Sequence, residues 1–272
     1  MIELKTHPSD SSKRRPHNLW PGHRFHAFTL IEILVVISII SVLVGILLPV
    51  LAKARKAAQV AACLSAQRQL AMGVATYAND HDGQIPRGPL NQQSFIAMAF
   101  GGVATEDQVA SSIILNSGTV GVYFNAHGLV LKGYLDTPAS MFCPGDDTFD
   151  PIEELKKVQD LQPPAFSSFV YRNLDQAPLG RLSDLGRNDL GEQATVLGLD
   201  SNSVFESSFS GPFSTYRTNH EAQVANAFYT DGHAKTFDNQ NNDFSLVAAD
   251  YSGWCAIEEA YNRFLQKADA VP

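Results

Sequence analysis

Residues 28–52 read FTLIEILVVISIISVLVGILLPVLA, a run of 25 positions interrupted by one acid, Glu32, and one proline, Pro49. A helix rises ~1.5 Å per residue and ~20 apolar residues cross a hydrocarbon layer, so this run predicts one membrane span. No second run of comparable length follows, which leaves the remainder to fold in water on one side. A secretory signal has a shorter apolar core, ~7–15 residues, before a small-x-small cleavage site. Ala52-Lys53-Ala54 fits such a site only loosely, and Glu32 has no place in one. Arg14-Arg15 is followed by Pro16 and His17, where twin-arginine export would want apolar residues.

Beyond Pro49 the small and apolar positions step by three, four or seven: Ala57, Val60, Leu64, Ala71, Val74 and Ala78. That spacing predicts a helix continuing to about Asn79, one stripe lying on the body and another, with Lys53, Lys56 and Gln67, facing water or neighbours. Pro49 inside such a helix removes one backbone hydrogen bond and is expected to kink it. Asn79-Asp80-His81-Asp82-Gly83 and then Pro86 supply stop chemistry. Asp80-x-Asp82-Gly83 also opens like a calcium loop, but Asn91 stands where the closing acid belongs, so the helix stop is the preferred reading.

From about residue 87 the pattern changes to short strand-like runs between long polar connections, which favours an antiparallel sheet packed on the helix. Candidate strands are Leu129 to Leu135, Ala165 to Tyr171, Thr195 to Leu199 and Val224 to Thr230; residues 145–164 and 175–193 read as surface loops. Cys255 to Lys267 has helical spacing through Ile257, Tyr261, Phe264 and Leu265. Asp231-Gly232 between two strand-like runs predicts a hairpin with a type I′ turn, which needs positive φ at both central residues. The expected fold class is α+β: a long N-terminal transmembrane and amphipathic helix packed on an antiparallel β-sheet head. Its parts are a basic lead (1–27), a transmembrane helix (28–52), its amphipathic continuation (53–82) and a globular head (83–272).

Charge narrows the partners. The net charge is −8 with a pI near 5.4, which argues against sequence-independent binding to nucleic-acid phosphates. The lead differs, holding five basic against two acidic side chains. Because Lys53, Arg55, Lys56 and Arg68 follow the span closely, the positive-inside bias is weak. Three cysteines, Cys63, Cys143 and Cys255, are too few for a disulfide scaffold or a closed zinc site and allow one internal bridge in any of three pairings.

Glu32 is the informative residue. An ionised acid costs ~2.5–3.5 kcal/mol at the centre of a span, and a generic anchor has no use for one. Cutting the chain between Ala27 and Phe28 would create an amine at membrane depth. A carboxylate on an adjacent subunit would neutralise that amine, so both charges would be satisfied only in an assembly.

His26-Ala27-Phe28-Thr29-Leu30-Ile31-Glu32, followed by ILVVISIISVLVGILLP, resembles the processing and assembly signature of type IV pilins and type II secretion pseudopilins. The resemblance implies that a prepilin peptidase removes a basic leader and methylates the new terminal Phe28. It also implies that the family's glutamate and proline are Glu32 and Pro49. Ala27 stands where the family usually has Gly. The same resemblance implies an N-terminus in the cytoplasm, a head in the periplasm and storage in the bacterial inner membrane. Assembly with other pseudopilin subunits by a secretion ATPase platform would follow, into a type II secretion pseudopilus or a type IV pilus-like filament. The stretch from Cys63 through Gln69-Leu70, Tyr77, Asp80, Gly83 and Pro86 is similar to a block in a large subgroup of pilin-like proteins abundant in planctomycetes and verrucomicrobia. Phe142-Cys143-Pro144-Gly145-Asp146 resembles that subgroup's Cys-Pro-Ser-Asp segment. His220 with Asp231-Gly232-His233 resembles its C-terminal His-to-Asp-Gly mark, with ten intervening residues where the subgroup has nine; the extra one suggests a bulge. A Cys63–Cys143 bridge is favoured over Cys143–Cys255, because both of its residues fall in these blocks.

Enzymatic signatures are sparse. The chain has no GxSxG elbow, no GKS or GKT loop and no paired CxxC. His220-Glu221-Ala222-Gln223-Val224 begins like a zinc-protease motif but ends in Val. The expectation is a structural subunit that is not an enzyme, with no metal and no cofactor. The alternative is a substrate-binding or hydrolytic head on a pilin-type anchor, which would need a pocket with converging titratable groups, for example His127, His220, Asp231 and His233.

Overall fold

The computed structural model describes residues 29–86, 112–117, 123–124, 126–146, 149–160, 165–172, 180–188, 190–204, 218–252 and 254–271. The lead and the Ala27–Phe28 junction lie outside the described residues. The chain divides into two units, Met1–Val50 and Leu51–Pro272.

In the first unit the described chain is the opening of helix α1, Leu30–Asp80, which runs without interruption through Pro49. Every Leu, Ile and Val from Leu30 to Leu51 is 43–79% exposed, so among the described residues nothing apolar covers this surface. Twenty-one residues, Leu30 to Val50, rise roughly 31 Å, about the hydrocarbon thickness. Ser38 and Ser41 each donate a 2.7 Å hydrogen bond back to a carbonyl one turn earlier, Leu34 O and Ile37 O, and so carry no unpaired hydroxyl into an apolar environment. Among the described residues this is the one helix long and apolar enough to cross a membrane.

The second unit is built on a six-stranded antiparallel sheet ordered β2-β1-β3-β4-β5-β6. The strands are β1 (Ser112–Ser117), β2 (Tyr123–Phe124), β3 (Ala165–Tyr171), β4 (Val196–Asp200), β5 (Val224–Tyr229) and β6 (Ala234–Asp238). The central strands are buried on both faces. Along β5, Ala225, Ala227 and Tyr229 enter one core with Phe244, Leu246 and the face of helix α3 (Trp254–Asp269) that carries Ile257, Tyr261, Phe264 and Leu265. Phe228 joins the other core, with Cys63, Leu70, Ala71 and Val74 of α1 and with Met141, Phe142 and Cys143. Strand periodicity of two thus serves two helical layers, as the α+β reading requires. The end of α3 is fastened by Asp269, which is fully buried at its side chain. It pairs with Arg172 at 2.7 Å and accepts the Thr195 and Val196 amides at 2.9 Å.

Several expectations are corrected. Leu129 to Leu135 is not a strand: Ala126–Leu131 forms a 3-10 helix that buries Val130 against α1, and the chain then turns through Gly133 at φ 101°. Short apolar runs do not distinguish the two by period alone. Residues 145–164 are not simply a loop, because Pro151–Gln159 is helix α2, capped by the Asp150 carboxylate on the Ile152 amide at 2.8 Å. Gln67 does not face water but is fully buried. The hairpin is present, yet Gly232 has φ 87° and Asp231 is not at positive φ, so the turn is not type I′. Its Tyr229 O to Gly232 N bond and its closing Tyr229 N to His233 O bond define a three-residue loop with glycine in the left-handed place. The β5–β6 register is unbroken from Val224 opposite Asp238 to Phe228 opposite Ala234, so no bulge lies within the paired strands, and the irregularity is the left-handed Gly232 at the loop end, the G1 bulge of such a hairpin. The helix stop is as expected: Asp82 is left-handed at φ 53°, and the Gly83 amide returns to Ala78 O at 2.7 Å.

Candidate functional site

At the start of α1, Thr29 and Glu32 form a reciprocal cap. The Glu32 carboxylate accepts the Thr29 amide at 2.8 Å and the Thr29 hydroxyl at 2.7 Å, and the Thr29 hydroxyl oxygen accepts the Glu32 amide at 3.2 Å. This is the Ser/Thr-x-x-Glu capping box, legible in Thr29-Leu30-Ile31-Glu32 and absent from the sequence reading above. It satisfies two of the helix's otherwise unbonded N-terminal amides in a segment where water is scarce. It also places the acid beside the first residues of the helix, next to the Ala27–Phe28 junction in sequence.

A second constellation lies within the head. Cys143-Pro144-Gly145-Asp146 is a tight turn closed by the Asp146 amide on Cys143 O at 3.0 Å. The turn pairs with the segment before β5 through Asp146 opposite Asn219 and through the His220 amide on Gly145 O at 3.0 Å. This pairing sets Cys143 Sγ 3.1 Å from His220 Nε2. Gly145 is required by the close approach, since a Cβ there would lie 2.5 Å from His220 Nδ1. Cys63, one turn before Gln67 on α1, completes a triangle: Cys63 Sγ, Cys143 Sγ and a His220 ring nitrogen all lie within 4.8 Å of one another. Both thiols are free in the structure, and the side chain of Cys255 lies outside the described residues.

The floor of this constellation is Asp200 at the end of β4, fully buried. Its carboxylate accepts Gln67 Nε2 at 2.9 Å, the Asn226 amide at 2.8 Å, Asn226 Nδ2 at 3.1 Å and the Cys63 thiol at 3.5 Å. Because Asn226 Nδ2 donates to a carboxylate, its amide orientation is fixed, and its 3.2 Å contact to His220 Nε2 is a donated bond as well. Nε2 therefore carries a lone pair and the ring proton sits on Nδ1. Burial drives His220 down to about 4, against the opposing pull of Asp146, so the ring is neutral at physiological pH. Burial raises Asp200 to about 7, partly offset by the Asn226 amide. Burial also holds both thiols up, most strongly Cys63, whose neighbours Cys143 and Asp200 add to the effect.

The backbone that presents His220 is strained. His220, Glu221 and Ala222 lie at φ 54°, 55° and 54°, three consecutive non-glycine residues in the left-handed region. Each such residue costs about 1–2 kcal/mol. Strain of this kind persists only where surrounding structure enforces it, and it concentrates at functional places. Above the turn opens a pocket of about 390 Å³ lined by Lys56, Gln59, Pro144, Asp146, His220 and Glu221 among others. Lys56 and Glu221 pair across its mouth at 2.6 Å, with both side chains more than half exposed.

Of the other predicted site residues, Pro49 lies within α1, and Asp231, Gly232 and His233 form the β5–β6 loop, where Asp231 Oδ1 pairs with His233 Nδ1 at 2.6 Å. His220 precedes one end of β5 and His233 follows the other, roughly 17 Å of extended chain away. The four-residue constellation is therefore not assembled among the described side chains, to which His127 does not belong. The expected bridge brings Cys63 and Cys143 together, and the structure does place them side by side, though as free thiols; what sequence reasoning missed is that His220 and Asp200 join them, because no spacing rule links those blocks.

Residues 22–48 match the family model described as the prokaryotic N-terminal methylation motif. The match covers the lead-to-helix junction and most of the exposed apolar helix, and it supports a type IV pilin-like, prepilin-type chain that is processed and anchored by a single span. No curated protein and no solved structure matches the chain.

Proposed function

We propose that this chain is a pseudopilin-like structural subunit. A prepilin peptidase cuts between Ala27 and Phe28 and methylates the new amine. Residues 28–52 hold the subunit in the bacterial inner membrane with its N-terminus inside and its head in the periplasm. An ATPase-driven platform then assembles it with other pseudopilin subunits into a type II secretion pseudopilus or a type IV pilus-like filament. The observation that carries this reading is the methylation motif lying on a helix whose apolar side chains are uncovered and whose first turn holds Glu32.

The physics follows from that turn. Lipid hides the apolar helix before assembly and neighbouring helices hide it afterwards. In the filament the Glu32 carboxylate meets the Phe28 amine of an adjacent copy, so electrostatics fixes the axial register. The subunit acts by packing and catalyses nothing. The constellation suggested for a hydrolytic head is not gathered, since His220 lies at the other end of β5 from the paired Asp231 and His233. When the chain is expressed with its secretion or pilus machinery, it should pass from the detergent-soluble membrane fraction into sedimentable filaments only if the prepilin peptidase is active. Retention in the membrane fraction with and without peptidase refutes the proposal.

A further inference from the structure

We propose that Cys63, Cys143 and His220 form a binding site for one zinc-class divalent cation, with two thiolates and the His220 Nε2 lone pair as ligands and a fourth position open to water. The inference rests on the geometry of the head and is independent of the filament reading.

Tetrahedral zinc bonds sulfur at ~2.3 Å and imidazole nitrogen at ~2.0–2.1 Å, which sets its ligand atoms roughly 3.5–3.8 Å apart. The three atoms already lie within 4.8 Å of one another, with Cys143 Sγ and His220 Nε2 at 3.1 Å. Seating the ion takes shifts of about 1 Å or less, within what side-chain rotation supplies. Each ligand comes from a different, firmly held element: Cys63 from the buried face of α1, Cys143 from the turn paired to Asn219, and His220 from the left-handed turn. That turn is the costly feature, and one side of it presents Ala222 O to Asn239 Nδ2 at 3.0 Å beside the end of β6. Its effect is to aim the Nε2 lone pair at the two thiols.

The surroundings suit the ion. The Gly145 amide donates to Cys143 Sγ at 3.3 Å, a bond that stabilises a thiolate. Asp200 is a fully buried carboxylate, and among the described residues the basic side chain that approaches it is the neutral His220 ring, 3.9 Å away. A divalent ion held by the two thiolates would lie beside that carboxylate. The exchange balances: one divalent ion enters, the Cys63 and Cys143 thiols each lose a proton to solvent, and the net charge of the cluster is unchanged. Two sulfurs and an imidazole beside a hard carboxylate favour zinc over copper(I), which prefers sulfur-only surroundings. The pocket lined by Pro144, Gly145 and His220 gives an entry path.

The test uses the full chain in detergent, reduced and stripped with a chelator under anaerobic conditions, then titrated with Zn²⁺ in competition with a chromophoric chelator. The expected result is one zinc per chain with two protons released. Cys63→Ser, Cys143→Ser and His220→Ala should each weaken binding at least 100-fold. With Co²⁺ as probe the unmodified chain should show thiolate-to-cobalt charge-transfer absorption and tetrahedral visible bands. Because a core substitution can unfold the head, the unmodified chain carries its own readout: zinc should slow alkylation of Cys63 and Cys143 at least tenfold. Substoichiometric uptake, uptake indifferent to all three substitutions, unprotected thiols, or a Cys63–Cys143 disulfide without metal in protein isolated natively would each overturn the proposal.

Discussion

Substitution at Glu32 separates the capping role seen in the structure from the pairing role proposed for the same carboxylate in a filament. In the isolated chain Glu32 caps α1, accepting the Thr29 amide at 2.8 Å and the Thr29 hydroxyl at 2.7 Å. In a filament the same group is asked to neutralise a neighbour's amine. Glu32→Gln keeps an acceptor oxygen in the capping place, since Gln serves there as Glu does, and removes only the charge. Glu32→Ala removes both. Loss of one member of a buried ion pair costs ~3–5 kcal/mol, and every 1.4 kcal/mol is tenfold, so Glu32→Gln should reduce subunit association by roughly two to more than three orders of magnitude. Loss of the cap adds ~0.5–2 kcal/mol, so Glu32→Ala should fall lower by a further factor of roughly 2–30. The assay is the sedimentable filament fraction normalised to total membrane protein, with head folding checked by protease resistance. Equal assembly of Glu32→Gln and the unmodified chain, with failure only of Glu32→Ala, would refute the electrostatic role and leave the cap as the whole contribution.

Four further outcomes concern the head, each read by thermal or denaturant unfolding. Asp269→Ala strands the buried Arg172 guanidinium and the Thr195 and Val196 amides, and should destabilise the head by ~3–5 kcal/mol. Gly198→Ala would drive a Cβ to 2.5 Å from Val170 O and 2.6 Å from the Phe228 ring, and should cost about 1–3 kcal/mol through displacement of β4. Glu221→Gly relieves a left-handed residue at the price of an exposed ion pair worth little, and should raise stability by about 1 kcal/mol, or ~2–4 °C in Tm. Asp150→Ala removes the α2 cap and should cost ~1 kcal/mol.

Legibility in the sequence followed the physics of each signal. The apolar helix was plain because its pattern is long, and β3, β4 and β5 were found to within a residue because runs such as Ala165 to Tyr171 are uniformly apolar or small between polar breaks. Helix α2 was missed although Asp150-Pro151 and Glu153 ahead of Lys156-Lys157 spell an N-cap, a first turn and a complementary helix end. Proline and acids are equally the composition of a surface loop, so these signals alone do not choose between the two. Gln67 was misplaced because a polar side chain on a helix is exposed by default. Its burial depends on Asp200 and on Asn226 O, more than a hundred residues away in sequence. The nearness of Cys63 and Cys143 is legible from their blocks, but the approach of His220 to them is not, for the same reason. The contact is made by the Asp146–Asn219 pairing and a left-handed turn, neither of which leaves a local sequence mark.

The central claim is that a membrane helix is made ready for assembly by cutting the chain before Phe28. The most direct measurement is the mass of the N-terminal peptide of the native protein extracted from its own membranes. A peptide beginning at N-methylated Phe28 is the predicted result. A native chain that still carries Met1 through Ala27, or that begins at an unmethylated residue elsewhere, would contradict it.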